Sequence, residues 1–271
     1  MKRFALWAGI VLVAALVVIA VVALVWTPFD PIRVDTGSAL QPPSSTHWLG
    51  TDQYGIDIVS RLMAGARTTL VVGVIAVAIA GLVGIPLGLL IGMSDDRWWS
   101  RLALRVSDLL YAFPALLLAI LLAAALGSST GTAMTAIGIA TIPVFVRITR
   151  AGAMQVMTRD YVAAARISGI SWPAIGVQHV LPNVAPLLGV QASVSFAMAI
   201  LAEAALSYLG LAAPPTTPSW GRMLSEAQRS IFTSPELTLW PALAIGLAVL
   251  GFNLLGDGLR DRLDPLLREV S

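Results

Sequence analysis

The chain has 271 residues, of which 57% are hydrophobic and only 12% are charged, and its net charge is +2. A soluble domain carries roughly 25% charged residues, so this composition excludes an ordinary water-soluble domain and favours a membrane-embedded protein without a nucleic-acid partner. The absence of cysteine excludes disulfides, cysteine-held iron–sulfur clusters and a thiol nucleophile, and the two histidines lie too far apart in sequence to predict a metal site.

Six apolar stretches predict an all-α integral membrane protein with six transmembrane helices, since a span needs roughly 20 apolar residues. They comprise residues 4–26, 68–93, 102–126, 133–146, 187–211 and 239–255. The first is longer than the roughly 7–15 apolar residues of a signal peptide and no A-x-A pattern follows it, which predicts an uncleaved span. The fourth is short, and Pro143 lies near its end. Glycines repeat at near-helical spacing between residues 81 and 92, which predicts close packing of the second span.

Positive charges are divided unequally between the two sets of connecting segments. Twelve of the 17 Lys and Arg residues fall on the side that holds both termini, and five fall on the other. Because cytoplasmic segments carry the excess of positive charge, both termini are expected in the cytoplasm, with the chain crossing the membrane several times. The chain then divides into an N-terminal span with an external segment (1–66), a core (67–258) that includes an inner joint (147–182), and a cytoplasmic tail (259–271).

The inner joint is longer than a simple connection needs, and its sequence predicts two short helices joined by a sharp turn. Thr158 is expected to cap the first helix, with Asp160 in the first turn. Gly169 offers the left-handed conformation that ends helices, and Ser171 is expected to cap the second helix. Such a unit either docks on a partner protein through its flat alanine surface or lies on the lipid headgroups.

The same joint resembles the EAA loop of bacterial ATP-binding-cassette importers. Ala163-Ala164-Ala165 occupies the triplet of that pattern, Gly169 follows it, and after nine further residues the sequence His-Val-Leu-Pro at 179–182 closes it. Alanine replaces the acidic first residue of the triplet and histidine replaces the usual isoleucine, so docking here has to rest on shape and backbone contacts. The resemblance implies that the following residues dock on a cytoplasmic ATPase: Tyr161, Ala163, Ala164, Ala165, Arg166, Gly169, Ile170 and Ser171.

Four further segments resemble, in order, the C-type permeases of dipeptide and oligopeptide importers of the bacterial inner membrane. They are residues 47–55 followed by 60–67, then 108–114, then 203–211 through 218–221, and finally 253–265. The resemblance implies the type I importer permease fold with an extra N-terminal helix. It also implies the partners: a second homologous permease subunit, two cytoplasmic ATP-binding-cassette subunits or domains, an extracytoplasmic peptide-binding protein and membrane lipid. The implied cargo is a di- or oligopeptide, with nickel, glutathione or another solute as the alternative.

The chain lacks the residues to hydrolyse ATP by itself. A phosphate-binding Walker loop needs a lysine after its last glycine, and the only lysine is Lys2. No catalytic residue or cofactor is expected in this chain, and ATP and Mg are expected in the partner ATPase subunits. Two other classes are open: a secondary transporter, which draws energy through intramembrane ionisable residues, and an intramembrane enzyme, for which the sequence offers no catalytic cluster.

One acidic side chain interrupts the apolar spans. Glu203 is the only charge deep in them, and it falls toward the outer end of the fifth span. Gln191, Ser195 and Glu203 share an arc of about 120° on that helix. They are candidates for a hydrated path or gate, and the alternative is that they brace neighbouring helices through hydrogen bonds.

The two longer outer segments are rich in proline, which predicts stiff, turn-rich chain rather than flexible loops. Within them, Trp48, Asp52 and Trp220 are candidates for the surface on which a binding protein delivers its cargo. The alternative for the two tryptophans is an anchoring role at the membrane interface, where tryptophan is enriched.

Overall fold

The computed structural model describes residues 2–94, 97–212, 214 and 216–263, and over these residues the chain is all-helical, as predicted. The helices are α1 (Lys2–Val25), α2 (Ile58–Met93), α3 (Trp98–Ala112), α4 (Ala115–Leu126), α5 (Thr130–Met157), α6 (Asp160–Ile167), α7 (Trp172–Ile175), α8 (Leu181–Tyr208), α9 (Trp220–Ala227) and α10 (Glu236–Leu263). A single π-helical turn, Gly176–Val180, joins α7 to α8.

Five helical segments of the described chain are long and apolar enough to cross a membrane. They are Phe4–Val25, Ile58–Met93, Thr130–Met157, Trp172–Tyr208 and Glu236–Arg262. Helices α3 and α4 pass the same test only as a pair, and the pair is bent by 88°. The described residues thus provide five spans, or six if the bent pair is one span, which agrees with the predicted number.

The third predicted span, residues 102–126, is not one continuous helix, because the chain breaks between α3 and α4. Phe113 has an extended backbone (φ −78°, ψ 125°), and Pro114 follows it as the residue before α4. Proline disfavours the helical conformation in the residue before it and has no N–H to continue the helix. The Phe113–Pro114 step therefore ends one helix and starts another.

The fourth span is twice as long as predicted from residues 133–146. Helix α5 has 28 residues and passes through Pro143, which is buried. A proline inside a helix removes one backbone hydrogen bond and bends the helix, yet it is tolerated where neighbouring helices support the chain. Here the support comes from α2, and α5 continues to Met157.

Helices α2 and α5 approach closely along a line of glycines, as the repeat in the second span predicted. A methyl group added at Gly84, Gly88 or Gly92 would lie only 2.6–2.7 Å from the nearest atom of α5. Gly81 does not belong to this contact, since a methyl group there would meet only Ile85 of its own helix, at 3.7 Å. Small residues permit such close packing between membrane helices, where lipid removes most of the hydrophobic drive to associate.

The inner joint is much shorter than the predicted 147–182. Helix α5 occupies its first third, and the chain from Trp172 to Tyr208 is one helical path through α7, the π turn and α8. The connection between the two long helices reduces to residues 158–171, which hold α6 and the turn after it.

The N-terminal helix packs against the last helix of the bundle. A methyl group added at Gly9 would lie 2.5 Å from the backbone nitrogen of Leu255, and one at Gly258 would lie 2.6 Å from Cβ of Leu6. The boundary proposed after residue 66 lies inside α2, which begins at Ile58. Of the proposed tail, 259–263 continues α10, and 264–271 lies outside the described residues.

Candidate functional site

Residues 158–175, here called the elbow, form the helix–turn–helix that the sequence predicts. Helix α6 ends in a pair of backbone bonds: the N–H of Gly169 donates to the carbonyl of Arg166, and the N–H of Ile170 donates to the carbonyl of Ala165, both at 3.1 Å. Gly169 has φ +79°. This is the Schellman arrangement, which requires a left-handed residue after the helix and favours glycine there. The turn is therefore fixed by backbone geometry.

The elbow is held to the bundle by apolar contacts on one face. Val162 of α6 and Ile175 of α7 are fully buried, and Ala165 is buried beside them. Val162 and Ile175 share a hydrophobic cluster with Val156 of α5 and Val184 of α8. Because both neighbouring long helices contribute to this cluster, the elbow is packed on α5 and α8 together.

The opposite face of α6 is exposed and has small side chains at its centre. Ala163 and Ala164 are exposed, and Ile167 is 88% exposed. An isoleucine with this much exposed surface, beside two exposed alanines, is typical of a contact surface for another protein or for the membrane interface. Ile167 was not among the predicted docking residues, although it lies about 140° around α6 from the buried Val162, which the sequence alone could have shown.

Two ring contacts stiffen the elbow from outside. The guanidinium of Arg166 lies 4.7 Å from the centre of the Trp172 ring, which links α6 to α7. The ring centres of Tyr161 and His179 are 6.2 Å apart, which links α6 to the π turn. The two contacts therefore connect α6, α7 and the π turn into one unit.

Both predicted caps are wrong in detail. Thr158 ends α5 instead of starting α6, and its hydroxyl donates to the carbonyl of Gln155 at 2.9 Å. Arg159 precedes α6 and Ser171 precedes α7, but neither side chain caps its helix.

Most of the predicted docking residues lie on the outer surface of the elbow. Ala165 is buried and Ile170 is half-buried, so these two support the surface from beneath. The exposed members of the set are Tyr161, Ala163, Ala164, Arg166, Gly169 and Ser171.

The three candidates for a path or gate make hydrogen bonds along their own helix. The side-chain amide of Gln191 donates to Ser195 at 3.0 Å, and the hydroxyl of Ser207 donates to Glu203 at 2.7 Å. Glu203 is 1% exposed. Both bonds lie within α8, so they decide neither for a hydrated path nor for the bracing of neighbouring helices, and both stay predictions.

At the far end of the bundle, a buried network of charges joins the outer segment to α2 and α9. The carboxylate of Asp52 pairs with Arg61 and accepts hydrogen bonds from the N–H groups of Tyr54 and Ile56 at 2.8 and 2.9 Å. The other side of the Arg61 guanidinium lies 2.7 Å from Glu226. Asp52 is 8% exposed, so it holds the fold together and does not present a charge on the outer surface.

The two outer tryptophans lie in different environments. Trp48 is 61% exposed, as an interface residue has to be. Trp220 is 3% exposed, its indole N–H donates to the carbonyl of Leu62 at 2.9 Å, and its ring packs against Gly65. The prediction that Trp220 offers outer surface is therefore wrong, because its ring fixes α9 to α2 inside the bundle.

A second contact orders the outer segment where it enters α2. Asp57 precedes α2 and accepts from the N–H of Ser60 at 2.8 Å, while Nδ1 of His47 lies 3.0 Å from the same carboxylate group. The ring of Phe29 lies 4.5 Å from the ring of His47. An aspartate just before an apolar helix is a sequence signal for this cap, and it was missed.

A family profile described as "Binding-protein-dependent transport system inner membrane component" matches residues 84–269. The chain is 41% identical over 261 residues to the dipeptide transport system permease protein DppC of Alkalihalophilus pseudofirmus, covering 96% of this chain and 85% of that protein. It is 42% identical over 257 residues to the glutathione transport system permease protein GsiD of Salmonella typhimurium, covering 94% and 84% of the two chains.

Solved structures with the same fold come from a transporter of low sequence identity. A chain from the inward facing MetNI methionine ABC transporter matches with a TM-score of 0.61 at 15% identity, covering 78% of this chain and 96% of that one. A second crystal form of the same transporter gives a TM-score of 0.57. At this identity the likeness establishes the fold alone.

Proposed function

Because this chain belongs to the family of binding-protein-dependent transport system inner membrane components, we propose that it forms one half of the transmembrane path of an ATP-driven importer. It is a multi-pass inner-membrane permease subunit with the fold of ABC importer permeases, and it is not itself a hydrolase. Its partners are a second, homologous permease subunit, two cytoplasmic ATPase subunits and an extracytoplasmic binding protein. It transports by alternating access.

The observation that carries this proposal is the elbow. Its inner face, with Val162 and Ile175, is packed on the bundle, while its outer face offers Ala164 and Ile167 to solvent. Small side chains on that surface allow a partner protein to approach closely. Because the turn at Gly169 is fixed by backbone hydrogen bonds, a displacement of α6 is transmitted to α7. An ATPase subunit docks on this surface and supplies the energy of ATP hydrolysis. This chain cannot hydrolyse ATP itself because it has no lysine in a Walker loop.

Movement of the elbow reaches the membrane through the long helices. Helix α8 has 28 residues, and at 1.5 Å per residue it carries a displacement across about 42 Å. The π turn that joins α7 to α8 is a kind of irregularity often found at functional positions in helices. ATP binding favours one arrangement of α5 and α8, and ATP hydrolysis with release of its products favours the other, which alternates access to the path.

The proposal includes an orientation. The elbow and both termini face the cytoplasm, where the excess of Lys and Arg belongs. The outer segment of residues 27–57 then faces the binding protein, and the exposed Trp48 is the residue we assign to that contact.

Di- and oligopeptides are the cargo that fits best, because a relative at 41% identity is named a dipeptide permease. Glutathione is the second candidate, because relatives of equal similarity are named glutathione permeases. Uptake of labelled dipeptide and of labelled glutathione, each measured with the other compound unlabelled and in excess, separates the two. Peptide cargo predicts dipeptide uptake that glutathione does not reduce, and glutathione cargo predicts uptake of glutathione alone.

The test of the whole proposal is reconstitution. The chain carries an affinity tag and is purified once with its native partners and once alone, and each preparation is placed in liposomes. We expect accumulation of labelled peptide only with the complete complex, the binding protein and ATP. Uphill transport by the isolated chain would overturn the proposal and restore the secondary transporter.

A further inference from the structure

A cavity of about 430 Å³ lies beside the elbow, enclosed by the end of α2, the first half of α3, the end of α5 and α6. Three arginines line it: Arg101 of α3, Arg150 of α5 and Arg166 of α6. None of the residues that the structure describes in its lining is acidic. This space, here called the arginine cavity, collects positive charge from three helices that are far apart in the sequence.

At least two of these arginines are placed to bind an anion. Arg150 is half-buried and forms no ion pair with any residue of the described chain. Arg166 lies over the Trp172 ring, a stacking that leaves the N–H groups at the guanidinium edge available. A planar guanidinium suits a phosphate group because it can donate two parallel hydrogen bonds to it. Ser100, which is buried in the same lining, adds a hydroxyl.

The remaining wall of the cavity is apolar. Leu104 and Met154 line it, and Met154 is 47% exposed. On α3, Trp98, Leu102 and Leu109 are 53–72% exposed and fall on one side of the helix. Large apolar side chains exposed on one side of a helix in a membrane protein face the hydrocarbon or its interface.

We propose that the arginine cavity binds the phosphate group of an anionic phospholipid. Arg150, Arg166 and Ser100 hold the phosphate, and the acyl chains lie against the apolar wall of Leu104 and Met154. Basic pockets between membrane helices bind anionic headgroups in this way. Inorganic phosphate has the same charged group as the headgroup, but it has no apolar part that could contact the apolar wall of the cavity.

A carboxylate of the ATPase is the competing occupant, since Arg166 belongs to the elbow. The lipid is favoured because Arg150 lies on a membrane-spanning helix. It is also favoured because Leu104 and Met154 line the remaining wall, and an acidic side chain gains no stabilisation from contact with them. A bound lipid would connect α3 to the elbow and make coupling depend on the composition of the membrane.

The test uses the complete complex in nanodiscs of phosphatidylcholine and phosphatidylglycerol, with native mass spectrometry to count the phosphatidylglycerol retained. Arg150→Gln should lower retention about fivefold, since each basic group near a membrane contributes about 1 kcal/mol to anionic lipid binding. Arg105→Gln is the matched control, because it removes the same charge from α3 outside the cavity. Arg150→Lys keeps the charge and therefore tests the site even if the glutamine variant does not fold. Its retention of phosphatidylglycerol should fall about half as far, on a logarithmic scale, as that of Arg150→Gln.

The remaining arms separate the sources of the phosphate. Phosphatidylglycerol that stays bound in millimolar inorganic phosphate supports a lipid site, whereas its release together with saturable phosphate binding assigns the site to free phosphate and overturns the proposal. Equal retention in the wild-type chain and in Arg150→Gln also overturns it. Loss of the ATPase subunits from Arg150→Gln with an unchanged lipid count would assign the arginines to a protein partner.

Discussion

The two ends of the bundle are held together by different contacts. At the elbow, apolar side chains such as Val162 and Ile175 pack on two long helices while the outer face stays bare. At the α9 end, the outer segment is joined to α2 and α9 by Asp52, Arg61 and Glu226, which are charged and largely buried. Apolar packing has no fixed direction and allows a unit to shift against its neighbours, whereas a buried ion-pair network holds one geometry.

This difference is the one that the proposed function requires of the two ends. An elbow that is displaced by a docked ATPase needs a rigid turn, an exposed docking face and apolar packing that allows it to shift on the bundle. An outer face that receives a folded binding protein needs a constant shape. Four substitutions test this contrast, and they are given in the order of the effect expected from each.

The largest effect is expected from Arg61→Ala, which leaves the buried carboxylate of Asp52 without its cation and leaves Glu226 paired only with Arg222. Breaking a buried pair by removing one partner costs about 3–5 kcal/mol. We therefore expect a sharp loss of folded protein, measured as monodisperse yield and as the midpoint of thermal unfolding in detergent.

The control for this variant is Arg229→Ala, an exposed arginine near the same end. Removing its charge should leave yield and midpoint unchanged. If both variants behave like the wild type, the network does not hold the outer segment, and the contrast between the two ends fails.

Ala164→Glu should abolish most transport while the protein still inserts and folds. The bulky charge stands on the bare face of α6 and contacts nothing inside the bundle, so it prevents close docking without disturbing the core. A loss of 1.4 kcal/mol in docking is about a tenfold change, and we expect at least that reduction in peptide uptake per complex.

Ala164→Ser is the matched control, since it keeps the side chain small. Uptake close to that of the wild type is expected from it, with ATP hydrolysis measured in parallel for both variants. Undiminished uptake by Ala164→Glu would remove the elbow from the coupling path.

Gly169→Ala isolates the backbone contribution to the elbow. The space around this residue is open, with nothing within 4 Å of an added methyl group, so the cost comes only from the left-handed conformation. That cost is about 1–2 kcal/mol, and the expected result is a partial loss of coupling.

Asparagine tolerates the left-handed region better than alanine, so Gly169→Asn should retain more transport. Gly189→Ala, in α8 and equally open, should have no such effect. Equal uptake by Gly169→Ala and Gly169→Asn would mean that the turn geometry is not what couples the elbow.

The smallest effect on stability is expected from Trp48→Ala. Exposed side chains away from special features change the free energy of unfolding by about 0.5 kcal/mol or less. The midpoint of unfolding should therefore stay the same, while stimulation of ATP hydrolysis by the binding protein should fall if Trp48 contacts it. Unchanged stimulation would move that interface elsewhere on the outer segment.

The sequence predicted the class of fold and the elbow because both depend on local patterns. Apolar stretches predict helices wherever they lie, and a glycine after a short helix predicts a left-handed turn, as at Gly169. Prolines show the limit of local rules. Pro114 follows a break and Pro143 does not cause one, since the second is buried in a helix that packs along the glycines of α2.

Contacts between distant parts of the chain could not be predicted from such patterns. Arg61 and Glu226 are 165 residues apart, and nothing in either segment indicates the other. The burial of Trp220 has the same origin, because its place inside the bundle depends on Leu62 and Gly65 of another helix. Trp48, Asp52 and Trp220 were therefore assigned to the outer surface only from the composition of their segments, and Asp52 and Trp220 are in fact buried.

The most direct test of the account is the accessibility of the elbow to a membrane-impermeant maleimide. The chain contains no cysteine, so Ala164→Cys and Trp48→Cys each provide a single thiol in it. We expect Trp48→Cys to react in spheroplasts. Ala164→Cys should react only in inverted vesicles, and there only after the ATPase subunits are stripped away. Reaction of Ala164→Cys from outside, or equal reaction with the ATPase subunits in place, would contradict the claim that the elbow is a cytoplasmic docking surface.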